Sequence, residues 1–142
     1  LSGVSAIGDK AFMNTSLTET RFSKNTVYLG FDAFAGTKLQ KAAFAGDAEF
    51  IAKTAFVDNA ETVIYCNKGA GAESYAAENG MSYRYFGDLD SDGYFTATDL
   101  SLLKRYLLNS DSAFDPTASD VNADSRVDIL DLVRLKKLAA KA

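Results

Sequence analysis

The segments IGDKAF (Ile7 to Phe12), LGFDAF (Leu29 to Phe34) and IAKTAF (Ile51 to Phe56) recur at a step of 22 residues. Each reads as an aliphatic residue, three variable ones, then Ala-Phe. Other columns keep the same step: Leu17 matches Leu39, and Phe22, Phe44 and Cys66 fall together. A unit this short cannot bury its own apolar face, so successive copies must stack as the coils of a solenoid. The spacing predicts a small Ala on a tight inner turn and a Phe that stacks with its counterparts in a ladder. Cys66 takes a Phe position in that scheme and reads as core, since nothing around it suggests the exposed, low-pKa setting of a reactive thiol.

A second duplication occupies the C-terminal part. DLDSDGYFTATD (Asp88 to Asp99) and DVNADSRVDILD (Asp120 to Asp131) start 32 residues apart. Both place oxygen-bearing side chains at loop positions 1, 3, 5, 9 and 12, the spacing by which a folded-back loop wraps a hard cation such as Ca²⁺. In the first copy these are Asp88, Asp90, Asp92, Thr96 and Asp99, with Tyr94 offering its carbonyl at position 7. In the second they are Asp120, Asn122, Asp124, Asp128 and Asp131, with Arg126 as the carbonyl donor. Two such loops imply two Ca²⁺ ions. Compared with the EF-hand pattern, position 12 is Asp rather than Glu in both copies, one methylene shorter. Gly93 takes position 6, where the turn needs a residue tolerant of positive φ. Ser125 stands there in the second copy, at a cost of about 1–2 kcal/mol if that residue is left-handed. The second site is therefore expected to be the weaker, although Asp128 adds a carboxylate that the first loop lacks. One acidic run could be an ordinary solvated turn; two with matching downstream helices are a far narrower signal.

Those helices follow directly. LSLLKRYLL (Leu100 to Leu108) sets Leu100, Leu103 and Leu107 on one face, and LVRLKKLAA (Leu132 to Ala140) repeats this with Leu132, Leu135 and Ala139. Between them Asn109 to Ser119 holds the chain's only proline, Pro116, and several cap formers. It is expected to break the first helix and leave no long helix entering the second loop.

Composition excludes several classes. Net charge is −4, which argues against nucleic-acid binding. The acid is uneven: residues 1–86 hold 8 basic and 9 acidic side chains, residues 87–142 hold 7 and 10. With no histidine, imidazole general bases and zinc–histidine sites are excluded, and one cysteine makes no internal disulfide. No apolar run suits membrane insertion. The first residue is Leu1, from which we expect a piece of a longer protein, with earlier coils upstream.

The N-terminal repeats resemble the bacterial surface-antigen (BspA-like) leucine-rich repeat, whose units read Ile-Gly-x-x-Ala-Phe followed by Leu-x-x-Ile/Phe. Thr62 to Tyr85 is similar to that family's closing cap: a strand (Val63 to Cys66), a Gly-rich turn, a helix (about Ala72 to Asn79) ended by Gly80, and a last strand.

The duplicated Asp-x-Asn/Asp-x-Asp-Gly loops ending in Asp, each with an Asp-Leu-x-x-Leu-Lys-Arg-like helix, resemble a dockerin module. The resemblance implies folding on calcium and docking into a cohesin domain of a scaffold protein. It further implies a secreted, cell-surface setting in the cellulosome of an anaerobic bacterium, a polysaccharide-degrading assembly. It also implies which residues face the cohesin: Ala97, Thr98, Lys104 and Arg105 in the first copy, Ile129, Leu130, Lys136 and Lys137 in the second, with Leu102 and Val133 beside them. The loop pair is small and polar in one copy and bulky and apolar in the other, so one preferred binding mode is expected, centred on Ile129 and Leu130. The competing possibility is that these two pack inside the module.

The expected architecture is thus two modules. A β-rich leucine-rich-repeat solenoid with a cap fills residues 1–86. An all-α, EF-hand-like duplicated calcium loop-helix module fills residues 87–142. The expected role is non-catalytic docking, with the repeats as a protein- or glycan-binding surface. One alternative is a free-standing calcium sensor or buffer, but its Met-rich groove is missing: Met13 and Met81 both lie outside the loops. Another is the C-terminal part of a larger enzyme. The scattered acids Asp9, Glu19, Asp32, Asp47, Glu49 and Asp58 form no recognisable catalytic pair.

Overall fold

The computed structural model describes residues 3–108 and 114–141, so part of the stretch Asn109 to Ser119 lies outside the described residues. Chain contacts divide the protein into Leu1–Tyr83 and Arg84–Ala142.

The first unit is a parallel β-solenoid. Each coil contributes a two-residue strand to one sheet, β1 (Ala6–Ile7), β3 (Tyr28–Leu29) and β5 (Phe50–Ile51). A four-residue strand goes to the other, β2 (Glu19–Phe22), β4 (Lys41–Phe44) and β6 (Val63–Cys66). The register steps by the sequence period: Ile7 pairs with Leu29, Leu29 with Ile51, Phe22 with Phe44. The expected strand Val63 to Cys66 is β6, and β7 (Tyr83–Tyr85) follows it at the end of the second sheet's strand order.

The aromatic ladder is present. Phe12, Phe34 and Phe56 stack with centroid spacings of 5.1 and 5.3 Å and near-parallel planes. Phe22 and Phe44 form a second column 4.3 Å apart, and Phe22 meets Phe34 edge-on at 5.5 Å. Such geometries add to the stabilisation from burial alone. Cys66 closes the Phe22 column, fully buried, and burial together with the nearby Glu73 charge pushes its thiol pKa up to about 12. Phe34 is fully buried with a ring on each side, so Phe34→Ala is expected to cost about 3–5 kcal/mol. A fall in the urea midpoint of the repeat unit is the readout.

The corner after each Ala-Phe is not written in any single residue type. Asn14, Gly36 and Asp58, one column at the repeat step, have φ of 59°, 64° and 64°. Asn and Asp tolerate the left-handed region better than other side-chain-bearing residues.

The last coil is closed by α1 (Gly71–Glu78), one residue earlier at both ends than expected. Its first N–H donates to Asp47 Oδ1 at 2.7 Å. Gly80 adopts φ +65° and Met81 N–H returns to the Ala76 carbonyl at 2.9 Å, the bond pattern by which a left-handed residue ends a helix.

The second unit is built on α2 (Ala97–Leu108), the one-turn α3 (Pro116–Ser119) and α4 (Ile129–Ala139). Leu103, Val121 and Leu135 are its buried centre, with Leu100, Leu107, Leu132 and Leu138 packed around them. The predicted apolar faces are therefore the inward ones, except that Leu138 makes the contact expected of Ala139. Both helices begin before their apolar runs, so Ala97, Thr98, Ile129 and Leu130 are first-turn residues, not loop residues. Asp115 caps α3 by accepting the Thr117 N–H at 3.0 Å, and its carboxylate lies 3.6 Å from Arg84. Gly87 has φ +95°, and a Cβ there would sit 2.9 Å from Leu135 Cδ1, so the approach to the first loop requires glycine.

Candidate metal-binding loops and docking face

The two twelve-residue loops share one backbone course. Position 4 is left-handed in both, Ser91 at φ 63° and Ala123 at φ 60°. Position 6 is left-handed as well, Gly93 at 84° and Ser125 at 74°. The position-1 carboxylate is clamped alike: Asp88 accepts the N–H groups of Asp92 and Gly93, and Asp120 those of Asp124 and Ser125, at 2.8–3.1 Å. At position 3, Asp90 Oδ1 and Asn122 Oδ1 each accept the N–H of position 5. At position 5, Asp92 and Asp124 each accept the N–H of position 7, at 2.8 and 2.9 Å.

Position 12 ties each loop shut. Asp99 accepts from Leu89 and Thr96 N–H, both at 2.8 Å. Asp131 accepts from Asn122 at 3.0 Å and Asp128 at 2.8 Å. Asp at this position reaches back to the loop and cements the following helix in one step. Position 9 completes the cap: Thr96 Oγ1 accepts from Thr98 N–H, and Asp128 Oδ1 from Leu130 N–H, the latter within a capping box with Asp131. The capping role of Thr96 and Asp128 was legible in the S/T/D-x-x-D spacing, although the same oxygens also fit a ligand shell.

These bonds leave a strong unbalanced charge. Asp99 and Asp131 are fully buried, Asp120 and Asp88 nearly so. Asp88, Asp90 and Asp99 each bring one carboxylate oxygen within 4.8 Å of the others. Burial raises the Asp88 pKa; its bond from Gly93 lowers it, and the Asp99 charge raises it again. Backbone N–H groups satisfy the oxygens geometrically but supply no unit charge, and carboxylates crowded out of water are costly without a cation. An all-oxygen donor set with spare lone pairs on every carboxylate fits a hard divalent ion.

The second loop differs in that Asp131 accepts from position 3, Asn122, where Asp99 accepts from position 2, Leu89, and in the Asn122 side chain. Asn122 Nδ2 donates to Asp124 Oδ2 at 3.0 Å, so the amide partly satisfies the carboxylate beside it. With Ser125 held at φ 74°, relief of strain is the expected effect of Ser125→Gly. That change should tighten cation binding at the second loop about three- to tenfold, read as the weaker step of a calcium titration.

The proposed partner-facing residues lie mainly on the outside of this unit. Ile129, Leu130 and Val133 are 61%, 56% and 47% exposed, so Ile129 and Leu130 do not pack inside the module. At i, i+1 and i+4 they form one patch on α4, continued by exposed Lys136 and Lys137. The matching stripe on α2 is Ala97, Thr98, Ser101, Lys104 and Arg105, all exposed, while Leu102 is half-buried. Arg105, Lys136 and Lys137 also sit in the last turns of their helices, where they complement the C-terminal dipole.

Among the described residues, no helix is long and apolar enough to cross a membrane. Comparison with family models matches residues 1–80 to the model described as BspA type leucine rich repeat region (6 copies), and residues 86–138 to the dockerin type I domain. Neither the curated proteins nor the solved structures give a significant match.

Proposed function

We propose that this chain, which belongs to the BspA-type leucine-rich-repeat family and carries a dockerin type I domain, is a non-catalytic, calcium-dependent adaptor that docks a repeat surface onto a cohesin. A dockerin domain implies cohesin docking in a cellulosome-type assembly, both modules are non-catalytic kinds, and no catalytic domain is evident in this chain.

The C-terminal unit is an EF-hand-like pair of calcium loops, each followed by its helix. The ligands are Asp88, Asp90, Asp92, Tyr94, Thr96 and Asp99 in the first and Asp120, Asn122, Asp124, Arg126, Asp128 and Asp131 in the second. Two Ca²⁺ ions supply the charge that the buried carboxylates lack, and metal binding becomes folding free energy. The ordered α4 then presents Ile129, Leu130 and Val133, flanked by Lys136 and Lys137, as the principal contact with the cohesin. Ala97, Thr98, Leu102, Lys104 and Arg105 contribute less, because the α2 stripe lacks an aliphatic anchor. The setting is the outside of an anaerobic bacterial cell, and the solenoid offers a protein- or glycan-binding surface.

The observation that carries this reading is the pairing of two loops with the same position-1, -3 and -5 hydrogen bonds with an exposed aliphatic patch on only one following helix. Size-exclusion chromatography with a panel of cohesin domains in calcium tests it. Co-elution with at least one cohesin supports the reading; separate elution from all of them, with the chain folded and metal-loaded, removes it.

A further inference from the structure

Each loop carries four carboxylates at its ligand positions, but the two sets are not equally placed. In the first, Asp88, Asp90 and Asp99 bring one oxygen each within 4.8 Å of one another, and among the described residues no such trio forms in the second. Asn122 stands where the first loop has Asp90. Its one oxygen already accepts the Asp124 N–H at 2.9 Å, and its amide nitrogen turns a donor toward Asp124 Oδ2 at 3.0 Å. The compensating acid, Asp128, sits at position 9, where a ligand often acts through water and so at longer range. Ser125 at φ 74° adds strain that Gly93 escapes. The second loop is thus the weaker binder by about tenfold.

The weaker loop is the one that holds the exposed aliphatic patch. Leu130 N–H donates to Asp128 Oδ1 and Asp128 N–H to Asp131 Oδ2, both at 2.8 Å, which closes the capping box of α4. The other Asp131 oxygen accepts from Asn122 N–H at 3.0 Å, so one carboxylate ties the early part of the loop to the first helical turn. Val121, the second residue of this loop, is buried with Leu135 of α4 in the core of the unit. Its counterpart in the first loop, Leu89, is only partly buried against the same core. Ile129 and Leu130 ride on the turn that these bonds fix, and Val133 follows one turn later.

We infer, on the docking reading given above, that the second loop alone is the gate for docking. The patch of Ile129, Leu130 and Val133 becomes ordered at the calcium level that fills this weaker loop, not at the level that fills the first. At intermediate calcium the first loop is closed, while the caps and the Val121 contact that seat α4 are not yet fixed. A chain in that state keeps one ion and releases its partner. Docking is then reversed by a much smaller fall in calcium than the fall that empties both loops. The first loop cannot set this threshold, because the helix it starts, α2, exposes only Ala97, Thr98 and Ser101 at the matching positions.

The position-6 amides report the two loops separately, since Gly93 N–H donates to Asp88 and Ser125 N–H to Asp120. Calcium is titrated into the complete, chelator-treated chain and followed by NMR, with hydrogen exchange along α4 and cohesin binding measured at each point. Gly93 should respond first and Ser125 at about tenfold higher free calcium, with α4 protection and cohesin binding rising alongside Ser125. Ser125→Gly should carry the second step, α4 protection and docking together to about three- to tenfold lower calcium. Gly93→Ser, whose added side chain meets open space, should raise the first step and leave docking within about twofold. Docking or α4 protection that follows Gly93, or a single step shifted equally by both variants, overturns the proposal. No cohesin binding at saturating calcium, with α4 protection still following Ser125, would sink the docking reading and leave the ordering of α4 by the second loop supported.

Discussion

Excess chelator is expected to unfold the C-terminal unit while the repeat solenoid stays folded. The core of that unit is small, centred on Leu103, Val121 and Leu135. A core of this size rarely supplies more than about 3–5 kcal/mol. Against it stand buried carboxylates at both ends of each loop, Asp88 with Asp99 and Asp120 with Asp131. A ligand at about 100 times its Kd adds about 2.7 kcal/mol per site, so two ions contribute about 5 kcal/mol. That matches the whole of what the core provides, and removing the ions also restores the mutual repulsion of the acids. Helical circular dichroism from α2 and α4 should therefore collapse on chelation and return with calcium. The Phe ladder of Phe12, Phe34 and Phe56 contains no metal-dependent element, so its unfolding transition should not move. Retention of the helical signal in chelator would show that the hydrophobic contacts suffice alone.

Ile129→Asp is expected to weaken cohesin binding about 100-fold or more, whereas Ala97→Asp at the matching position of the first copy should cost less than about fivefold. The difference follows from what each helix exposes. Ile129, Leu130 and Val133 make a contiguous aliphatic patch, and their counterparts Ala97, Thr98 and Ser101 do not. Central apolar anchors typically carry about 2–4 kcal/mol of an interface, and a buried unpaired carboxylate would add to the loss. Ile129 is 61% exposed in the free chain, so stability should change by no more than about 0.5 kcal/mol. Binding measured by surface plasmon resonance, with melting curves as the control, separates the two effects. Equal losses in both variants would mean that the two helices serve interchangeably.

Much of this was readable from residues in a row. The 22-residue step gave the strand register, because Ile7, Leu29 and Ile51 must face the same interior. The loop positions were readable because oxygen donors at fixed offsets are rare by chance. Backbone conformation was less so. Ser91 and Ala123 are left-handed without being Gly, Asn or Asp, and the loop hydrogen bonds around them hold that conformation against their preference. Helix starts are not set by the apolar pattern, since Ala97 and Ile129 lie before the apolar period begins, where a cap from Thr96 or Asp128 decides. The stack of Tyr28 on Phe50 at the surface, 5.1 Å apart, lies outside the core pattern, because both residues are on the outward side of their strands.

The most direct test of the central claim is calorimetric titration of a cohesin domain into this chain, with calcium and again with excess chelator. Docking through calcium-ordered helices predicts one-to-one binding at submicromolar Kd that disappears entirely in chelator. Binding of the same strength with the metal removed, or no heat with any cohesin while calcium is bound, would contradict it.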